Sequence, residues 1–302
     1  MARHGLSRPA GPVERRAPPP HDAWRSDLFT GTLGLQLQIA TGQYVSPGTG
    51  RLALVPTGKG GGEIVAQQAA TACGAPILPG SGIKGAVRTL YELLSFSCDP
   101  FARGADRCQP TSCCDACSLF GLLGYSGRLS FSDAVAADPN GVQVEVEKVP
   151  VPWPPDAAKT PGDFRLYDLA EATLPGAGRP TVEKQPKELA RQVYLGTFAA
   201  RMAFTNLEPE ELGRVLLAMG VGTDRTTRFS LRLGGVKYDG KGAVKVVPHH
   251  LSLVKPSQKL AHGVEACGEE YVRWIRAASE SKWAQSFWAP LERLAAVLGK
   301  AD

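Results

Sequence analysis

Leu33, Leu35, Leu37 and Ile39 alternate with Thr32, Gly34, Gln36 and Gln38, a period-two pattern that predicts a half-buried strand. Over residues 42–62 seven glycines and two prolines interrupt any period, and a long exposed loop is expected. From Pro79 the spacing changes to that of a helix, with Ile83, Val87, Leu90, Tyr91 and Leu94 on one stripe, Ser81 as the expected cap, and Lys84 and Arg88 on the opposite side. Alternation returns at Leu129 and Phe131 and again at Val142, Val144 and Val146, which predicts two more strands. An inserted loop is expected over residues 150–193. Phe198, Ala200, Met202 and Phe204 mark a further strand, after which Pro209 opens a helix carrying Leu212, Val215, Leu216 and Met219 and closed by Gly220. Phe229, Leu231 and Leu233 lead into a glycine-rich turn over Gly234–Gly242 and return through Val244 and Val246 as a hairpin. Helical spacing near 265–278 and 281–298 completes the chain.

That order of elements is a β-α-β-β-α-β core with insertions, so the expected fold class is α+β: a modified ferredoxin-like, RRM-like domain whose four-stranded antiparallel sheet carries two helices on one face. Residues 1–27 read as a flexible Pro/Arg-rich arm, 28–260 as the domain, and 261–302 as a helical extension. The domain would carry insertions at 42–62, 98–120 and 150–193. No apolar stretch reaches the roughly 18 residues of a membrane helix, and the arm lacks the apolar segment of a signal peptide.

Charge sharpens the reading. The chain has 34 Lys/Arg against 29 Asp/Glu, a net +5, yet residues 221–260 hold eight basic residues against Asp224 and Asp239, a local +6. Such a segment fits a phosphate-binding face. Ser and Gly at the mouth of the Pro79–Arg88 helix would offer backbone N–H groups to an anion, with Lys84 and Arg88 adding charge nearby. Lys84 is followed by Gly85, so this is not a Walker A loop and nucleotide hydrolysis has no support. Glycines of the 234–242 loop would let backbone amides approach phosphates while Lys237, Lys241 and Lys245 add charge without reading bases.

Cys98, Cys108, Cys113, Cys114 and Cys117 fall within 20 residues. Cys114-x-x-Cys117 has zinc-knuckle spacing, and Cys98 and Cys108 would complete a Cys₄ site if the loop folds back on itself. Adjacent cysteines do not easily share one ion, so Cys114 is taken as the ligand and Cys113 as its substitute. Cys73 and Cys267 read as ordinary buried residues. None of the five histidines is paired with a cysteine in a way that predicts nucleophilic catalysis. Clustered thiols without an export signal point to a reducing compartment, the cytoplasm.

Four segments resemble, in order, the motifs of the RAMP superfamily, the repeat-associated RNA-binding proteins of CRISPR effector complexes. They are Pro79-Gly-Ser-Gly-Ile-Lys-Gly-Ala-Val-Arg88, then Cys117-Ser-Leu-Phe-Gly121 with Gly127-Arg-Leu-Ser-Phe-Ser-Asp-Ala134, then Phe204-Thr-Asn-Leu-Glu-Pro-Glu-Glu-Leu212, and Leu233-Gly-Gly-Val-Lys-Tyr-Asp-Gly-Lys-Gly-Ala-Val244. The resemblance implies a backbone-type or capping subunit of a type III complex in antiviral defence, gripping guide RNA along its phosphates, meeting complementary target RNA and stacking on neighbouring subunits. On that basis Gly80, Ser81, Lys84, Arg88, Gly234, Gly235, Lys237, Lys241 and Lys245 are the expected RNA contacts, and a structural zinc the expected cofactor. Target-slicing subunits of the superfamily carry an aspartate between the first strand and the Pro-Gly-Ser helix. Here no aspartate occurs between Asp27 and Asp99. A subunit that binds without cutting is expected, with Glu63 and Mg²⁺ as the alternative for cleavage.

Overall fold

The computed structural model describes residues 3–7, 11–56, 62–98, 107–138, 140–150, 163–167, 188–222, 227–254, 264–266 and 270–299. In chain order the first elements are β1 (Arg3–Ser7), β2 (Phe29–Ile39), β3 (Gly48–Pro56), β4 (Glu63–Ala69), β5 (Thr71–Ala72), β6 (Ala75–Leu78), α1 (Gly80–Leu93) and α2 (Asp115–Phe120). The middle of the chain supplies β7 (Leu129–Phe131), β8 (Ala134–Ala136), β9 (Gln143–Pro150), β10 (Asp163–Tyr167), β11 (Glu188–Leu195) and β12 (Thr197–Leu207). It closes with α3 (Pro209–Ala218), β13 (Leu231–Arg232), β14 (Ala243–Leu253), β15 (Val264–Ala266), α4 (Glu270–Glu280) and α5 (Lys282–Leu298).

The main sheet runs β13–β14–β2–β12–β8–β6–β5, with β7 also on β12 and β15 on β14. Its centre, β14–β2–β12 with β7 and β8 beyond, is antiparallel throughout and carries the ferredoxin-like core in the expected α+β class. Leu33, Leu35 and Leu37 of β2 are buried between two neighbours, as the alternation predicts. The stripe Ile83, Val87, Leu90, Tyr91 and Leu94 is buried too, because a 3.6-residue period keeps all five on the face of α1 turned to the core.

Several expectations change. Residues 42–62 are not one loop: Gly48–Pro56 pairs with Glu63–Ala69 as β3 and β4, where the run Leu52-Ala-Leu-Val55 outweighs its glycine-rich flanks. The insertion expected at 150–193 ends in β11, which joins β3, β4 and β9 in a separate four-stranded sheet, so the strand at Val144 and Val146 lies outside the core sheet. The small sheet buries Val55, Ala66 and Ala190 on one face and leaves Leu52, Leu54 and Val65 exposed on the other.

The arm is held down rather than free over residues 11–27. Arg16 exchanges backbone hydrogen bonds with Cys113, Tyr125 donates its hydroxyl to the Pro19 carbonyl, and the Asn206 amide donates to the Ala23 carbonyl and accepts from the Arg25 N–H. Prolines keep this strap extended, and its remaining polar backbone finds partners on the body. Helices α4 and α5 bury Trp274, Ile275, Phe287 and Leu291 in the same core as the sheet. Trp283 donates its indole N–H to the Leu94 carbonyl at the end of α1 (2.6 Å). Among the described residues no helix is long and apolar enough to cross a membrane.

Candidate anion cleft and metal centre

The start of α1 and the glycine-rich loop, some 150 residues apart in sequence, form opposite walls of one cleft of about 420 Å³. What brings α1 there is a tertiary cap. Ser81 does not cap the helix; Pro79 occupies the cap position, and the Gly80 N–H donates to the Asp133 carboxylate (2.7 Å) in the turn between β7 and β8. A Cβ at Gly80 would lie 2.4 Å from the Phe131 carbonyl oxygen, so only glycine lets helix and turn touch. Gly82 and Ile83 donate their N–H groups to the Pro79 carbonyl, while Ser81 faces the cleft.

Glycines of the loop serve packing as well. Gly234 has φ +85°, and a Cβ there would meet the Ser46 backbone at 2.9 Å; the Gly235 N–H donates to the Ser46 carbonyl (2.8 Å). The amide expected to meet phosphate at Gly235 is therefore already bonded, and side chains supply the polar chemistry of this wall. Lys237 lines the cleft, and burial alone lowers its pKa from the ordinary lysine value. Lys241 turns elsewhere, donating to the Gly42 carbonyl (3.1 Å) over the Tyr44 ring. Lys245 sits in β14 opposite Gln38. Lys84 is half-buried one turn into α1 and outside the cleft lining, its pKa lowered by burial and then by Arg88.

Arg88 departs from the expected set. Its guanidinium faces inward, pairing with Glu92 (2.7 Å), donating to the Gly121 carbonyl (2.8 Å) and reaching the Cys117 sulfur at 3.6 Å. The i,i+4 spacing to Glu92 and the bare carbonyl of Gly121 draw it away from solvent. The +6 segment disperses similarly: Arg228 pairs with Glu292 and lies over Trp288, and Arg232 is buried. Arg225, Lys255 and Lys259 lie outside the described residues.

Three polar cleft residues were not predicted. Ser46, Gln67 and Arg191 line the cleft, and Ser46 Oγ, Gln67 Oε1 and Arg191 Nε are buried without a hydrogen-bond partner among the described residues. Gln67 and Arg191 are direct neighbours across the β4–β11 pairing. The available signal was the short apolar run Leu52–Val55 followed by the apolar run Ile64–Ala66, a hairpin at the end of a stretch read as loop.

On the other side of α1 lies the cysteine cluster. The sulfurs of Cys98, Cys108, Cys114 and Cys117 all lie within 4.8 Å of one another, and all four residues are buried. A zinc tetrahedron with Zn–S bonds of ~2.3 Å has edges of about 3.8 Å, and Cys98 and Cys117 already stand 3.6 Å apart. Backbone N–H groups of Cys98 and Cys114 point at the sulfurs of Cys114 and Cys108, at 3.5 and 3.2 Å, as donors to thiolates do. Hydrogen bonds from Cys117 and Cys98 pull the Cys114 pKa well below the ordinary thiol value; donation to Cys114 pushes Cys98 up to about 12. Four thiols this close cannot all ionise alone, and a divalent cation supplies the charge that lets them. The cluster fits a metal such as zinc. Cys113 is buried but stands outside the four, held by Arg16. Cys73 is exposed rather than buried, at φ +49° in the β5–β6 turn, and Cys267 lies outside the described residues.

Asp115, next to Cys114, pairs with Arg214 of α3 (2.6 Å) and with Arg16 of the strap. Arg128 is buried between α2 and α3, donating to Glu211 (2.9 Å), the Asn206 carbonyl (2.8 Å) and Ser118 (2.9 Å). Asn206 itself adopts φ +52°. Glu63 is the exposed first residue of β4, opposite Pro56, and lies four residues from Gln67. At ~3.3 Å per residue that is about 13 Å along the strand from the cleft.

The family model of the RAMP superfamily matches residues 26–249, nearly three quarters of the chain. No curated protein matches it.

Proposed function

The chain belongs to the RAMP superfamily, and on that premise we propose that it is a type III CRISPR effector subunit that grips guide RNA by its phosphate backbone without cutting target RNA. Membership carries a CRISPR-associated RNA-binding role. The observation that supports the finer reading is the cleft joining Ser81 of α1 to Gly234, Gly235 and Lys237 of the glycine-rich loop, with the Arg191 Nε atom buried in its wall. Guanidinium and ammonium groups with no carboxylate among the lining residues suit a phosphate. Lys84, half-buried and next to Ile83 of the cleft lining, adds charge, and Lys245 and Lys241 extend the basic surface along β14 and its preceding loop. Gly80 acts by placing the helix start, and Arg88 belongs with the cysteine cluster rather than the RNA.

A non-cutting role rests on the absence of aspartate between residues 28 and 98 and on the distance of Glu63 from the cleft. In this reading Cys98, Cys108, Cys114 and Cys117 hold a structural zinc beside α1. Neighbouring subunits dock on the exposed apolar face of β3 and β4, Leu52, Leu54 and Val65, in a cytoplasmic complex.

Lys237→Ala is the test. Single-stranded RNA binding by the full chain weakens by severalfold, and the slope of log affinity against log salt falls by about 0.7, the value for one lost phosphate contact on a single strand. Unchanged affinity and slope would refute this placement of the RNA.

A further inference from the structure

Phosphate alone does not satisfy this cleft. Arg191 Nε donates and Ser46 Oγ can donate, so both complement a phosphate oxygen, but Gln67 Oε1 accepts only. All three atoms are buried, Ser46 being 1% exposed, and each lacks a partner among the described residues. A buried acceptor left unpaired costs more than a hydrogen bond returns, so the natural occupant brings a donor to Gln67 together with an anion for Arg191 and Lys237. The volume of about 420 Å³ lies within the ~300–1,000 Å³ range of small-ligand sites.

We infer that the cleft holds one ribonucleotide unit and reads its sugar: Gln67 takes the ribose 2′-hydroxyl while Arg191, Lys237 and Ser46 hold the adjoining phosphate. Gln67 and Arg191 are partners on adjacent strands, ~4.8 Å apart, the scale of a sugar and its own phosphate. Either orientation of the Gln67 amide finds its complement in a hydroxyl, which both donates and accepts. DNA offers no donor at that place. Gly48 and Gly235 keep the pair accessible: a Cβ at Gly48 would lie 3.0 Å from the Gln67 amide nitrogen, and one at Gly235 would lie 2.9 Å from Arg191 Nη1. Selectivity for RNA over DNA thus comes from residues outside every motif that marks the family. The inference rests on the RNA-binding reading above and adds the group that discriminates.

The experiment measures full-length protein against a labelled single-stranded oligoribonucleotide and the same sequence in DNA. Wild type prefers RNA. Gln67→Leu, nearly equal in volume, loses about three- to tenfold of RNA affinity, the scale of one hydrogen bond, and leaves DNA affinity unchanged. Arg191→Met weakens RNA and DNA alike. RNA methylated at every 2′-oxygen, offered to the wild-type protein, reproduces the Gln67→Leu loss with no change to the fold. An RNA-to-DNA ratio that stays the same in Gln67→Leu, or undiminished binding of the methylated strand, overturns the assignment while leaving RNA binding intact. A wild-type protein that binds no RNA overturns both readings together.

Discussion

Arg128→Met tests whether a signature arginine of an RNA-binding family touches RNA at all. Arg128 and Glu211 are each 3% exposed, and the guanidinium also holds the Asn206 carbonyl and Ser118 between α2 and α3. Removing it strands the Glu211 carboxylate in the interior with only the Glu208 N–H as a donor from the capping box. Breaking such a pair from one side costs about 3–5 kcal/mol. With a urea m-value near 3 kcal/mol/M, at the upper end for modest-sized proteins, the midpoint falls by about 1–1.7 M. Tryptophan fluorescence follows the transition, since Trp274 and Trp283 are buried among the same helices. The double variant Arg128→Met with Glu211→Leu regains most of the loss, because no charge is then left buried. RNA affinity of the folded single variant stays at the wild-type value. A midpoint shift worth under about 1 kcal/mol would refute the reasoning, and RNA binding lost at an unchanged midpoint would in addition show the arginine to be a ligand contact.

Elemental analysis should find one zinc per chain, lost in Cys114→Ser and kept in Cys113→Ser, because only Cys114 belongs to the four-sulfur set. Arg88→Gln should weaken zinc retention against a chromophoric chelator by about tenfold, as removal of an outer-sphere partner does, without altering the salt slope of RNA binding; a changed slope with normal zinc would return Arg88 to the RNA. A complex assembled on this subunit with Mg²⁺ should leave target RNA uncut at its position, and Glu63→Gln should give the same products. Site-specific cleavage that disappears in Glu63→Gln with guide binding intact would make the protein a ribonuclease subunit.

Local periodicity carried the core because a strand such as Leu33–Ile39 and a stripe such as Ile83–Leu94 announce their buried faces within a dozen residues. Partnerships at long range were invisible: nothing near Gly80 reveals that its N–H is capped by Asp133, and nothing near Arg128 points to Glu211. The glycine-rich loop is ambiguous for a physical reason. Lack of a Cβ permits a backbone to approach a phosphate or another backbone equally well, and at Gly234 and Gly235 the neighbour is Ser46. The four-cysteine cluster was legible because spacing and number restrict it. Ser46, Gln67 and Arg191 were not, since each is unremarkable in sequence, and Gln67 and Arg191 meet only because two strands pair across more than 120 residues.

The strap over residues 11–27 sets an order of events in synthesis. Arg16 must wait for Cys113, Pro19 for Tyr125, and Ala23 for Asn206. At roughly 5–20 residues per second, Asn206 follows Ala23 by about ten to forty seconds. Through that interval the segment is an unpartnered chain, and its four prolines and three arginines are the composition that keeps such a chain extended, soluble and unable to seed a misplaced strand. Its docking is therefore a late step, one that covers the start of α2 beside the four cysteines.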